Sequence, residues 1–371
     1  MRFVPLLLLL LPVLLSCQRD THGVPPEVRQ QWESDNPLRA IPAGPLGSGL
    51  DLSRLPVPPT PQRVRLGRWL FFDARLSRDG TLSCASCHQP ERAFSSDAAV
   101  ATGIDGQRGM RKIPAIVNLA AIPRHPRNFE TQPRAGPFFW DGRAASLERQ
   151  ALEPIVNPVE MGSSHAQMEQ TLSRIDGYRP YFVEAFGDAR ITRDRVARAL
   201  ADYERTRMSG NSPFDRWRTG RDGRAVSAEV KRGFELFTGK AQCARCHPGP
   251  LFTDAGFHNH GIGWNAATRT FADEGRHAVT KGSVVQADPG TFKTPTLREV
   301  SRRAPYMHDG SIATLREVVE FYNRGGIPNP DLDNNIAPRG LSREEIDAIV
   351  AFLKSLDGEG WQDVAPSHFP R

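Results

Sequence analysis

The chain has 371 residues, too many for one small core and enough for two domains of ordinary size. Its 32 glycines and 31 prolines suggest helices joined by long loops, with few strands. The formal charge of +6 is spread over many arginines and not gathered in one run, and no motif supports nucleic-acid binding. Such a surface suits solvation, or docking of an acidic partner.

In chain order, Arg2 is followed by an apolar run over residues 3–15 and then by Ser16 and Cys17. The run is shorter than the roughly 20 residues a bilayer crossing needs, so residues 1–16 are expected to be a secretory signal peptide. The tetrad Leu14-Leu15-Ser16-Cys17 resembles a bacterial lipobox. Cleavage before Cys17 and acylation of that residue would leave an exported, periplasmic lipoprotein held to a membrane by its lipid; the plainer alternative is a signal peptide with a coincidental cysteine. Residues 17–60 are polar and proline-rich and are expected to form a lipidated tether.

A weak internal repeat follows. Gly67-Arg68-Trp69-Leu70-Phe71-Phe72 precedes Cys84-Ala85-Ser86-Cys87-His88, and Gly233-Phe234-Glu235-Leu236-Phe237 precedes Cys243-Ala244-Arg245-Cys246-His247. Each half closes with a helical pattern, Val196, Leu200 and Tyr203 in the first and Ile346, Ile349, Val350, Leu353 and Leu356 in the second. Ser342 and Glu345 have the spacing of a capping box before the last of these. The expected organisation is mainly α, with tandem cytochrome c-like domains over residues 61–222 and 223–371, and the boundary near Gly220 to Gly223.

The chain has 5 cysteines, four of them in the two Cys-x-x-Cys-His motifs, and Cys17 is the fifth. Two thiols three positions apart lie on one turn and can both add to the vinyl groups of one haem, while the adjacent histidine meets the iron from the same face. A lone Cys-x-x-Cys could bind zinc or exchange disulfides, but two such motifs with their histidines, in an exported repeat, point to two covalent c-type haems. Cys84, Cys87, Cys243 and Cys246 are then the attachment sites, and His88 and His247 the proximal iron ligands. No cysteine is left for a structural disulfide.

Further blocks extend the pattern: Leu70-Phe71-Phe72-Asp73-Ala74-Arg75-Leu76-Ser77, Phe138-Phe139-Trp140-Asp141-Gly142-Arg143, Asn157-Pro158-Val159-Glu160-Met161 and Ala304-Pro305-Tyr306-Met307-His308-Asp309-Gly310. With the haem motifs, and in this order, they resemble the bacterial di-haem cytochrome c peroxidases, and more closely the MauG branch of that family, over roughly residues 60–360.

The resemblance implies that the first haem is peroxidatic, with Glu160 as the distal acid–base carboxylate and Gln150 orienting the peroxide. It places Trp140 between the haems as a relay. It puts Tyr322 opposite His247 on the second iron, with Met307 as the rival ligand. It also implies one calcium ion between the domains, on the side-chain oxygen of Asn118 and the backbone carbonyls of Arg303 and Pro305. The loop that carries a capping histidine in many members corresponds to residues 103–111, which hold Gln107 and no histidine; His125 lies further on. That departure implies a first haem open in the oxidised protein, the alternative being that His125 swings in. Ala241 stands where members that oxidise a distant protein carry a surface tryptophan; Trp217 and Trp264 are the candidate substitutes.

The expected function is a periplasmic peroxidase that reduces hydrogen peroxide with electrons from a small donor protein, a cytochrome c or a cupredoxin. One alternative is a MauG-like oxidase that uses a high-valent iron state to modify a protein substrate. The other is a non-catalytic di-haem electron carrier.

Overall fold

The computed structural model describes residues 24–122, 138–283 and 286–371. Cys17 and His125 lie outside the described residues, and with them the expected lipidation site and the alternative capping ligand of the first haem.

The first half opens with α1 (Pro26–Asp35) and α2 (Pro61–Phe72). Thr60 accepts a hydrogen bond from the Arg63 amide and Pro61 opens the helix, so the start of α2 is fixed locally. The haem motif forms the single turn α3 (Cys84–Cys87), followed after a long connection by α4 (Leu147–Val156), α5 (His165–Ser173), α6 (Arg179–Phe186) and α7 (Arg193–Arg205). In α7, Val196, Leu200 and Tyr203 are fully buried, as their spacing predicts.

The second half repeats the plan with α8 (Pro213–Arg218), α9 (Ala228–Thr238), the short α10 (Arg276–Thr280), α11 (Leu315–Asn323) and α12 (Arg343–Lys354). Ser342 and Glu345 form the capping box at the start of α12. Two small antiparallel pairs interrupt this half: β1 (Phe257–Asn259) with β4 (Thr291–Lys293), and β2 (Trp264–Asn265) with β3 (Thr270–Phe271).

Each half is built on one helix crossing with a glycine at its centre. A Cβ on Gly67 of α2 would lie 1.9 Å from the Ala199 carbonyl oxygen of α7 and 3.0 Å from Cβ of Tyr203. A Cβ on Gly233 of α9 would lie 1.9 Å from the Ala348 carbonyl oxygen of α12 and 2.9 Å from Cβ of Phe352. The glycine of the opening helix therefore rests on an alanine and on the aromatic residue four positions later, in both halves. Trp69, Leu70 and Phe71 fill the first core around this crossing, and Phe214, Phe237, Phe252 and Phe352 the second.

Two stretches depart from the expected domain boundaries. The segment anticipated as a tether is packed from Val24 onward: Trp32 is buried in the first core, and Leu50 and Leu52 form a satellite cluster with Met208 and Leu251. Gly47 gives its carbonyl to Arg298, which is itself paired with buried Asp215 at 2.6 Å. At the other end, residues expected to belong to the second domain return to the first. Trp361 packs on Phe94, Asp363 accepts from Tyr203 and pairs with Arg68 and Arg207, and the Gly177 amide donates to the Arg371 carbonyl at 2.8 Å. Scattered apolar residues such as Trp32 and Trp361 have no period, so their burial is decided by the tertiary structure.

Among the described residues no helix is long and apolar enough to cross a membrane.

Candidate functional site

One continuous cleft runs between the halves. His88, Gln150 and Trp140 line it on one side; Cys243, Cys246, His247, Met307 and Tyr322 line it on the other. Around Cys84 the turn is closed by Ser83 and Ser86 in a reciprocal cap, and the His88 amide donates to the Cys84 carbonyl at 2.8 Å. At Cys243 a tighter 3-10 turn leads to the same contact, His247 amide to Cys243 carbonyl, at 3.0 Å.

Both histidines are held in the same way. His88 Nδ1 lies 2.9 Å from the Phe94 carbonyl and His247 Nδ1 lies 2.8 Å from the Phe252 carbonyl. A neutral imidazole that donates from Nδ1 keeps its lone pair on Nε2, the tautomer an iron ligand needs. Burial keeps both rings neutral, His247 down to about 4. The four described thiols form no disulfide, although each pair sits on one turn. Burial pushes Cys84 and Cys243 up, the latter to about 12. Two unlinked pairs of half-buried thiols, each with a histidine oriented by a carbonyl and facing an apolar cleft, fit two covalent haems.

The residues expected on the distal side of the first half come from α4 and the turn after it. Gln150 sits in the first turns of α4, whose N-cap Ser146 accepts from the Arg149 amide. Gln150 Oε1 is buried and has no hydrogen-bond partner among the described residues. Glu160 is half-buried in the turn beyond α4, and Asn157 Nδ2 donates to its Oε1 at 2.9 Å. Burial raises the Glu160 carboxyl, against the opposing pull of Arg143 and of Asn157. Its charge reaches the Cys84 and Cys87 thiols, so the carboxyl stands close to the first attachment turn.

The loop over residues 103–111 packs on this same turn. Ile104 donates its amide to the Glu160 carbonyl at 2.8 Å, and Gln107 Nε2 donates to the Pro158 carbonyl at 3.2 Å. A Cβ on Gly103 would lie 1.8 Å from the Val159 carbonyl oxygen, so only glycine lets the loop approach so closely. Gln107 is thus bonded to the Glu160 turn.

Trp140 joins the halves. Its indole Nε1–H donates to the Lys112 carbonyl at 2.8 Å, and its own carbonyl accepts from the Lys293 amide at 2.8 Å. The next residue, Asp141, is 4% exposed and pairs with Arg111 and Arg143, while Arg111 reaches Asp273 of the second half. Arg143 also stacks on the Phe139 ring at 3.6 Å.

On the second side, Tyr322 projects from α11 into the cleft, with the His260 ring 6.1 Å away. Burial raises its phenol, and the charges of Cys246 and Cys243 add to that, which puts the ring beside the second attachment turn. Met307 also lines the cleft, on a positive-φ turn at 72°. Ala241 is buried in the second core and not at the surface. Trp217 and Trp264 are half-buried against Phe214 and Phe271.

The residues expected at a calcium site, Asn118, Arg303 and Pro305, all line the cleft. Asn118 is buried, Oδ1 accepts from the Ser209 amide at 2.7 Å, and Nδ2 donates to the Ser209 carbonyl at 3.2 Å. Arg303 and Pro305 follow the short helical turn Val300–Arg302.

Several cleft residues escaped the sequence reading. His258 is held between Asp333 at 2.6 Å and Asp254 at 3.1 Å; burial opposes its protonation, but the two carboxylates push it up to about 12. With Cys246 and Asp254 it forms the one group among the described residues dense enough for a metal ion, and its thiol is the one the second haem would consume. His260 and His308 line the cleft with Nδ1 buried and without a hydrogen-bond partner among the described residues. The doublet of histidines in Phe257-His258-Asn259-His260, soon after a haem motif, was the signal available.

Comparisons with known proteins agree with this geometry. Residues 61–223 match the family described as di-haem cytochrome c peroxidase, and residues 230–357 match cytochrome c. The methylamine utilization protein MauG of Methylorubrum extorquens is 42% identical over 303 residues, 81% of this chain and 80% of that protein. Cytochrome c551 peroxidase of Nitrosomonas europaea is 35% identical over 302 residues, 81% of this chain and 82% of that protein. Among solved structures, a MauG-like protein associated with microbial copper homeostasis superposes with a TM-score of 0.71 at 30% identity, covering 86% of this chain and 94% of its own.

Proposed function

We infer that this chain, which belongs to the di-haem cytochrome c peroxidase and MauG family and is an oxidoreductase with two c-type haems, reduces hydrogen peroxide in the first half with electrons delivered from outside through the second. The observation that carries this reading is the buried, unpartnered Oε1 of Gln150, in the same cleft as His88. A buried acceptor without a donor costs about 1–3 kcal/mol. Hydrogen peroxide is a donor small enough to satisfy it.

A haem held by Cys84, Cys87 and His88 would supply the redox-active iron. Peroxide takes two electrons and two protons to give two waters. Glu160 is the group that accepts the proton from one peroxide oxygen and delivers it to the other. Asn157 fixes its carboxyl for both transfers, and Gln150 holds the substrate's O–H. Trp140, bonded to one half through Lys112 and to the other through Lys293, is the residue through which the halves exchange electrons.

The test is peroxide-dependent oxidation of a reduced small cytochrome c or cupredoxin by the two-haem protein. Steady turnover is expected. A protein that carries both haems and consumes no peroxide with either donor would be an electron carrier.

A second reading, oxidation of a protein substrate, is favoured by two observations: Tyr322 beside the second attachment turn, and a loop over residues 103–111 that carries no histidine and is pinned by Gln107. One equivalent of peroxide added to the fully oxidised protein is then expected to change the haem absorption at once. No change until one haem is reduced would mean that a ligand caps the first iron, and His125 would be the candidate.

In this reading Tyr322 would join His247 in holding the iron of the second haem. Tyr322→Phe is expected to free that site, seen as a high-spin spectrum and carbon monoxide binding on reduction, whereas Met307→Leu leaves the spectrum unchanged. The opposite pair of results would assign Met307.

Calcium on Asn118 Oδ1 and the carbonyls of Arg303 and Pro305 rests on the resemblance, and all three residues line the cleft. Export to the periplasm and lipidation of Cys17 rest on the pattern of residues 2–17 alone. The basic surface suits an acidic redox partner.

A further inference from the structure

Four cations line the cleft, Lys112, Lys293, Arg303 and Arg339, and none has a carboxylate partner among the described residues. Arg339 is held by Gln242 Oε1 and the Asn335 carbonyl. Lys112 is 4% exposed, and its ammonium donates to the Ser96 and Ala98 carbonyls and the Ser96 hydroxyl, which satisfies its three protons. Arg303 is 9% exposed and donates only to the carbonyls of Glu299 at 3.2 Å and Thr296 at 2.7 Å. Lys293 lines the cleft with a single contact, a long 3.4 Å donation to the Thr294 carbonyl.

Lys293 and Arg303 are also close enough to repel. Burial, and then the charge of Arg303, bring the Lys293 ammonium down to about 8. Asp254 pulls the other way, but it is committed to His258 and to the Gly256 amide. Buried charges are retained where they are paired, so two adjacent cations facing a cleft call for an anion in it. They stand on the second side: the Thr294 carbonyl that Lys293 contacts also accepts from Thr253, and Thr296, whose carbonyl accepts from Arg303, donates to the Leu251 carbonyl, on either side of the Phe252 carbonyl that holds His247. A haem carries two carboxylates, and Cys243 and Cys246 fix where the second haem lies.

The geometry points to Lys293 and Arg303 as the paired anchor of a carboxylate of the second haem, through which they set that haem's reduction potential. The assignment rests on haem attachment at Cys243 and Cys246 and is independent of which residue is the sixth ligand. Lys293 also holds the Trp140 carbonyl through its amide. Seating a carboxylate on the pair therefore cancels positive charge beside the indole, where an electron hole would otherwise be repelled.

The experiment is spectroelectrochemical titration of both haems in full-length, two-haem protein at one pH, for Lys293→Met, Arg303→Met and Lys293→Arg. Removing a cation next to a haem carboxylate favours the ferric state. Each methionine variant is expected to shift the reduction equilibrium of the second haem about tenfold towards ferric, about 59 mV for a one-electron couple. The first haem should move less than about twofold, and Lys293→Arg should restore the second to within about twofold. A folded, two-haem Lys293→Met protein with both potentials unmoved overturns the anchor, as does an equal shift at both haems.

A potential in the unchanged protein that follows added chloride or phosphate would also overturn it, assigning the pair to a free anion. Should the methionine variants fail to fold, Lys293→Gln and the propionate bending band in resonance Raman serve instead: the band shifts if the ammonium holds the carboxylate and stays put if it does not. A protein with only one haem by pyridine haemochrome would show failed attachment and not a failed anchor.

Discussion

A Glu160→Gln protein loaded with both haems is expected to cleave peroxide about 10²–10⁴-fold more slowly than the unchanged protein, the scale at which general acid–base groups act. Glutamine has the same reach and can still accept from Asn157 Nδ2, so the 2.9 Å contact that positions the side chain is kept. The Ile104 amide bonds the backbone of residue 160 and is untouched. What is lost is the capacity to hold a proton and give it back. Stopped-flow mixing with peroxide measures the rate, and an unchanged rate would remove Glu160 from the chemistry.

The pH dependence of the same step has a definite sign. Burial holds the Glu160 carboxyl above its ordinary range despite Arg143 and Asn157. Below that raised pKa the carboxyl is protonated and cannot act as a base. The cleavage rate should therefore rise with pH through the raised pKa, and this limb should be missing from Glu160→Gln.

How much of this was legible in the sequence depended on whether the information was local. Cys84, Cys87 and His88 share a turn, as do Cys243, Cys246 and His247, so their chemistry follows from spacing alone. The periods of α7 and α12 and the cap at Ser342 are local too. Glu160, Gln150 and Tyr322 carry no local mark and were placed through resemblance; the structure brings Gln150 and Tyr322 to the cleft and Glu160 beside the first attachment turn. Lys293 and Arg303 could not have been found, because an unpaired cation in a cleft is defined by what lies around it in space. The proline-rich composition before Val64 suggested a tether, whereas single side chains such as Trp32, Leu50 and Leu52 dock that stretch onto the cores. A docked segment of this kind needs few anchors, and few anchors leave no pattern.

The glycine crossings carry the other large effect. Gly67→Ala or Gly233→Ala would put a methyl group 1.9 Å from a carbonyl oxygen of the facing helix, roughly half a normal contact distance, and backbone cannot turn aside as a side chain does. The helices must part, and overpacking of this kind costs about 1–3 kcal/mol or more. The loss should be felt at the haems, since Phe71 of α2 lies 6.5 Å from His88 and Phe237 of α9 packs on Phe252, whose carbonyl orients His247.

Each variant is therefore expected to lower the melting temperature by several degrees and to perturb the absorption of its own haem more than that of the other. Gly223→Ala is the control, because a Cβ there meets nothing within 4 Å. Thermal melts followed at the haem band and by circular dichroism test this. Melting within a degree of the unchanged protein would show that the crossings are not as tight as drawn. If the two substitutions combine additively, as separate cores require, each cytochrome c-like half owes its stability to its own crossing; a double variant worse than the sum would place the energetic unit across the interface at Trp140 and Arg111.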